Sequence, residues 1–349
     1  MHDRGFAYEE QVGPKIAGRS VLEHLAERYR HSTPAEWERR IRSGEVWLDG
    51  VRAAAADRLC AGQRLIWHRP PWREPAVPLG FALLYADTDV LAVAKPRGLP
   101  TLPAGGFLTH TLLWEVRRRF PGAVAVHRLG RGTSGVVLFA RSARARRGLA
   151  GAWRTGQVAR IYLALVAGRP ARDRFAIDVP IGPVAHPLLG TVHAASAGGR
   201  PARTVVRVLR ADDDASLVAV EIDTGRPHQI RIHLAAAGHP LVGDTLYGDG
   251  GLPRPASRAL PGDGGYLLHA ARLVFPHPAS AALTTVECAP PPGLRDTDGI
   301  WARHWYTEVA ETTSFRPYRP THDKVPERLR EIYERCCDCF ERLYACRLF

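Results

Sequence analysis

The sequence is poor in lysine, in methionine and in long apolar runs. Lysine occurs at Lys15, Lys95 and Lys324 and methionine once, so arginine carries almost all of the positive charge. No apolar run approaches the roughly 20 residues that a membrane-spanning helix needs, and no membrane partner is expected. The opening MHDRGFAYEE has none of the apolar core of a secretory signal. The expectation is a cytoplasmic protein with reduced thiols. Paired C-x-x-C knuckles are absent too. Cys60 and Cys288 are isolated, and Cys336, Cys337, Cys339 and Cys346 cluster near the C-terminus. From about Pro326 the spacing of Leu329, Ile332, Cys336, Phe340 and Leu343 predicts an amphipathic helix. One straight helix cannot wrap four thiolates tetrahedrally around zinc. No metal site is expected, and these cysteines read as small hydrophobic residues. No internal repeat is found.

What is present is size and positive charge. The chain has 349 residues, 45% of them hydrophobic, enough for about two domains. A formal net charge of +13 points to a polyanionic partner, nucleic acid first. A merely positive solvated surface is the alternative.

Four regions are expected: a small module over 1–70, a linker over 71–80, a main domain over 81–292 and an extension over 293–349. In the module, RSVLEHLAERY has a helical period, Pro34 opens a second helix that Gly44 stops, and Asp49-Gly50 is a hairpin turn. The stretch WHRPPWREPAVPLG (67–80) is proline-rich and reads as linker. In the main domain, FALLYADTDVLAVAKPRGLP (81–100) predicts two short strands around a turn at Asp87–Asp89. THTLLWEVRRRF predicts a helix, and strands are expected over 136–141, 159–168, 203–209, 216–223 and in YLLHAARLVFPHP. PHQIRIHLAAAG predicts a helix with Pro227 in its first turn. Residues 182–200 and 248–265, rich in glycine and proline, are expected to be long loops. Strands and helices that do not strictly alternate imply an α+β fold.

Several segments carry chemistry-bearing residues in a distinctive order: KPRGLPT (95–101), VHRLGRGTSGVVLFAR (126–141), ARIYLALVAG (159–168), TGRPHQIRIHLAAAGHPLVGDTLYG (224–248) and YLLHAARLVFPHP (266–278). Together they resemble the RluA-like family of RNA pseudouridine synthases, over about residues 81–292. The N-terminal module resembles, more weakly, the alpha-L RNA-binding module. The resemblance implies a mixed, mainly antiparallel sheet with a catalytic cleft. It implies isomerisation of uridine to pseudouridine in structured RNA, rRNA or tRNA, with no cofactor and no role for DNA. On this likeness Arg128 fills the gap left by a flipped base, Tyr162 stacks on the uracil, and Arg231 pairs with the catalytic carboxylate. Arg226, His228 and Gln229 stand at a strand-to-helix junction suited to holding phosphate.

Each also has a plainer reading. Tyr162 fits a core aromatic, Arg231 a surface helix residue, and His127 and His233 satisfied structural histidines. The family's catalytic aspartate follows H-R-L, and here that position is Gly130. Three outcomes stay open: a synthase that recruits another carboxylate, an RNA-binding protein without turnover, or a different reaction in the same pocket. Asp223 is a candidate carboxylate, although strand parity puts it on the wet face with Glu221. Asp244 reads as a turn former. A His127–Ser134 pair is a further possibility. An unpaired Arg231 would be costly if buried, so an RNA phosphate or Asp223 is expected to neutralise it. Glycine on both sides of Arg131 suggests a backbone built for close approach to a ligand.

Overall fold

The computed structural model describes residues 5–29, 32–260 and 262–294. The helix expected from about Pro326, with its cysteines, lies outside them. The chain divides into two compact units, the first running to Pro75 and taking in Gly105–Phe107.

In the first unit, helices Val21–Arg28 and Pro34–Arg42 each open on a capping box, Ser20 with Glu23 and Thr33 with Glu36. The reciprocal bonds satisfy backbone donors that a helix start otherwise leaves exposed. Strands Val46–Leu48 and Val51–Arg52 meet at Asp49 and Gly50, both at positive φ (48° and 83°), the geometry of a tight hairpin. Phe6–Gln11 and Arg64–Arg69 complete a four-stranded sheet. Residues 67–69, read from the sequence as linker, instead pair with residues 6–8. Trp67 explains this, since its ring packs edge-on against buried Trp37 at 4.8 Å.

The second unit is built on a ten-stranded sheet. Its path is Arg174–Ile177, Thr204–Ala211, Ala215–Ile222, Ala159–Ala167, Leu268–Pro276, Ser134–Ala140, Val90–Lys95 and Ala82–Ala86. Leu283–Glu287 and Val124–Ala125 pair beside that path. Strands Leu268–Pro276 and Ser134–Ala140 run parallel, and the other pairings of this sheet among the described residues are antiparallel. The mixed, mainly antiparallel α+β architecture is thus as the sequence implies.

Alternation along the central strand sorts its side chains between two cores. Val137 and Phe139 join the core under helices Leu112–Arg119 and Gln229–Ala236, whereas Val136, Leu138 and Ala140 face helix Ala143–Arg154. Tyr162, Ala164 and Val166 lie on the first of these sides.

Three expectations are corrected. Residues 181–195 are not a long loop but a hairpin, Ile181–His186 with Gly190–Ala195. Their glycine serves the turn, and Pro183 is exposed in a two-stranded ribbon, where a proline is tolerated. Helix Ala143–Arg154 has no counterpart in the sequence reading, because Gly148 and Gly151 interrupt its pattern. A Cβ at Gly148 would lie 3.2 Å from that of Pro278, so the glycine permits close packing. The helix expected from Pro227 begins at Gln229, and His228 caps it in the left-handed region at φ 55°.

The parallel crossing is tight. Ser134 stands opposite His269, and its Oγ lies 2.9 Å from His269 Nδ1. His269 Nε2 donates to the carbonyl of Cys288 at 3.0 Å, which leaves Nδ1 to accept from the serine. Burial pushes His269 down to about 4, so it stays neutral. The suggested His127–Ser134 pair is therefore not formed. Gly135 sits at φ +114°, and a Cβ there would lie 2.2 Å from the Ala270 carbonyl oxygen. Gly135→Ala is predicted to lower stability by roughly 3 kcal/mol or more, measured by urea unfolding. A midpoint unchanged from the wild type would contradict this packing.

Candidate active site

The stretch His127–Ser134 links two neighbouring strands and is pinned along its length. His127 Nε2 accepts from the Leu138 N–H at 3.0 Å, and its ring stacks on Trp153 at 4.7 Å. Burial, with the charge of Arg160, pushes His127 down to about 3, so it acts as a neutral structural acceptor. Buried Thr101 both donates to the Leu129 carbonyl (2.9 Å) and accepts from its N–H (3.2 Å). The Gly98 N–H donates to the Arg131 carbonyl at 2.8 Å. Beneath the loop, fully buried Lys95 donates to the carbonyls of Pro96, Leu99 and Arg131 at 2.9, 2.7 and 3.3 Å. Burial pushes its ammonium down to about 7. The KPRGLPT and HRLGRGTSG segments are one hydrogen-bonded body.

Gly130 is exposed in the turn closed by the Thr133 N–H on its carbonyl. Its backbone does not demand glycine, but its surroundings restrict it. A Cβ would lie 3.0 Å from the Tyr266 hydroxyl, which also meets Thr133 Oγ1 at 3.3 Å. At Gly132 a Cβ would lie 2.9 Å from both Gly264 Cα and Tyr266 Cζ. The close approach suggested by the paired glycines is thus made by the chain's own segment 264–266.

Arg231 is not a surface residue. Its side chain is 4% exposed and forms a two-pronged pair with Asp244, at 2.6 Å from Nε and 2.8 Å from Nη2. Its guanidinium carbon lies 4.3 Å from the Tyr266 ring centre and 4.9 Å from that of Tyr247. Asp244 Oδ1 also accepts the N–H groups of Leu246 and Tyr247, so it is the expected turn former as well. Burial alone would raise the Asp244 carboxyl, but the bonds and charge of Arg231, with the two N–H donors, outweigh it and hold it below the usual range. Asp223, suggested as the neutralising partner, instead lies 3.5 Å from Arg203 with its side chain 56% exposed.

The other predicted residues fall into two groups. Arg128 is exposed, and its charge reaches half-buried His228. Burial, then the charges of Arg231 and His193 and the weaker one of Arg128, push His228 down to about 4. Its Nδ1 lies 2.7 Å from the Tyr247 hydroxyl. Gly130, Tyr266, Arg231, Tyr247 and His228 therefore form a connected series. Tyr162 joins the same apolar cluster as Leu129 and Tyr266 and is 8% exposed, and burial raises its phenol against the opposing charge of Arg160. Gln229 is different. It is buried, accepts from Thr224 Oγ1 and the Arg226 N–H, and donates to the Arg203 carbonyl and Thr204 Oγ1. It braces the junction from behind, and Arg226 is held beside it by the Pro201 carbonyl. His233 is likewise tied to the Val179 carbonyl at 2.9 Å. The sequence reading missed Tyr247 and Tyr266, although GDTLYG contained the first and YLLHAARLVFPHP opens on the second. No group of three metal-ligating side chains occurs among the described residues, nor does a helix long and apolar enough to cross a membrane.

Removing one partner of a buried ion pair typically costs about 3–5 kcal/mol, and Asp244→Asn is predicted to do so at pH 7. A carboxyl held low contributes stability above its unfolded value, about 3.9, and loses it as pH falls through the folded value. The gap between wild type and Asp244→Asn should therefore narrow below pH 4 in urea titrations. A gap independent of pH would contradict the pairing.

The family described as RNA pseudouridylate synthase matches residues 89–236. An uncharacterized RNA pseudouridine synthase of Synechocystis is 42% identical over 74% of this chain and 89% of that protein. RNA pseudouridine synthase 5 of Arabidopsis thaliana is 35% identical over 84% of this chain and 94% of its own length. The solved human RNA Pseudouridylate Synthase Domain Containing 1 superposes with a TM-score of 0.51 at 27% identity, covering 71% of this chain and all of that one. With 42% identity to one such protein over 89% of its length, the chain belongs to the RNA pseudouridine synthase family.

Proposed function

We propose that this protein isomerises uridine to pseudouridine in structured RNA, of ribosomal or transfer type, in the cytoplasm and without a cofactor. The observation that carries this is the state of Arg231. It is buried, paired with Asp244 and packed against the rings of Tyr247 and Tyr266, and the Tyr266 hydroxyl lies beside Gly130. The neutralising partner of Arg231, Asp244, is independent of position 130, so the pocket keeps its cation and its packing with glycine there.

Each residue has a part in that reaction. A base within a stem must leave the stack before its glycosidic bond can be reached. Arg128, exposed at the head of the loop, fills the vacated space with a planar cation. Tyr162 receives the uracil, and stacking of this kind is worth about 1–3 kcal/mol per base. Arg231 fixes the electrostatics of the pocket floor. His228, neutral at physiological pH, orients by hydrogen bonding, and Arg226 faces the phosphates. The net charge of +13 supports the first, long-range capture of the polyanion. The module ending near residue 70 adds a second RNA contact. Uridine and pseudouridine are isomers, so nothing is oxidised or consumed.

Gly130 favours one rival reading, an RNA-binding protein without turnover. Release of tritium from uracil C5 separates the two, because joining C5 to the ribose expels that hydrogen. The substrate is C5-tritiated RNA from cells lacking the protein. The wild type is expected to release label. Label released only by Gly130→Asp, with none from the wild type, would establish the binder instead.

A further inference from the structure

Helix Ala143–Arg154 packs on the face of the sheet away from Tyr162 and takes no part in the pocket. Its sequence, ARARRGLAGAWR, holds four arginines and no acidic residue. Ala145, Leu149 and Ala152 are buried against the sheet. The helical period therefore turns Ala143, Arg147, Ala150 and Arg154 outward, with Arg146 beside them. Arg146, Arg147 and Arg154 are exposed, and their side chains make no ion pair or hydrogen bond among the described residues.

Stability alone does not account for such a helix. Cations near a helix start oppose its dipole, and of Arg144, Arg146 and Arg147 only the first has a carboxylate, that of Asp89. Glycine weakens a helix interior, and a Cβ at Gly151 would meet nothing within 4 Å, so no packing among the described residues requires it there. Departures from local rules of this kind collect where a protein binds something. The last turn also touches the loop of the candidate site. Trp153 stacks on His127 at 4.7 Å, and Arg128 is the next residue. The exposed arginines thus continue from Arg128 into the helix.

We propose that helix Ala143–Arg154 is a second RNA-docking surface, on which Arg146, Arg147 and Arg154 hold phosphates of a segment that lies outside the cleft. The proposal rests on the reading of the chain as acting on RNA. A guanidinium fork matches a phosphate in charge and shape. Arg147 and Arg154 stand seven residues apart, about 10 Å along the helix axis, and so take separate phosphates. The small residues between them, Ala150 and Gly151, let a backbone approach closely. Phosphate contacts carry no sequence information but fix register and orientation. The helix therefore sets how a folded RNA lies on the protein, and the pocket on the other face chooses the uridine.

The test uses the full chain and the same tritiated RNA, with binding followed by filter retention between about 50 and 200 mM salt. Arg146→Gln, Arg147→Gln and Arg154→Gln are combined in one variant. Its affinity is expected to fall at least about tenfold, and its slope of log affinity against log salt to become shallower by about 2 or more. Turnover at saturating RNA and the thermal midpoint stay as in the wild type. Lysine at the same three positions should keep affinity within about threefold, since the charge is retained. A control variant loses equal charge elsewhere, through Arg172→Gln, Arg174→Gln and Arg200→Gln, which are also exposed, and its slope should change by less than about 1. Unchanged affinity and slope in the helix variant would overturn the proposal. So would an equal loss in the control, which would mean diffuse charge, or a loss of turnover at saturating RNA, which would mean that the helix acts through Trp153 on the loop. A wild type that binds this RNA and releases no label would overturn the isomerase reading, while the binding comparison would still decide the role of the helix.

Discussion

The site depends on a cation kept inside the protein. Arg231 lies on a helix whose other residues are mostly buried, and a guanidinium there is tolerable only with a partner of matching shape. Asp244 provides it from the turn that follows the helix, with both oxygens facing the fork and two backbone N–H groups behind them. This geometry has consequences beyond charge. The turn that holds Asp244 also places Tyr247 against Arg231 and His228, and Tyr266 packs against the same guanidinium. Tyr266 in turn reaches Gly130 and Thr133. One ion pair thereby sets the spacing between the helix, the loop over residues 127–134 and the strand that follows residue 266.

The loop itself gains rigidity from a second source. Lys95, Thr101 and Gly98 bind its backbone rather than its side chains. Such bonds are indifferent to which residue stands at 130. This separates scaffold from chemistry. It explains how a member of the family can carry glycine at this position while its surroundings stay intact.

Much of the architecture was legible because it is local. Capping boxes at Ser20 and Thr33, the Asp49-Gly50 turn and the alternating strands each declare themselves within a few residues. The role of Asp244 as a turn former was readable for the same reason. Its pairing with Arg231 was not, since it depends on how the chain folds back after the helix. The contacts of Tyr266 with Gly130 and of Asp263 with Arg131 join residues more than 130 apart, and no pattern within either segment signals them. The left-handed His228 was hidden by Pro227, which resembles an ordinary helix start. The hairpin over residues 181–195 was hidden by its glycine and proline content. Gln229 was drawn to the RNA by its motif, whereas its burial makes it a brace.

The central claim is that an intact scaffold around Gly130 still modifies RNA. The most direct measurement is a transcriptome-wide map of pseudouridine in cells with and without the gene, read by carbodiimide-dependent stops in reverse transcription. The account predicts that deletion removes one or a few sites in structured RNA and that re-expression of the unaltered protein restores them. Maps that are identical in all three conditions would contradict it.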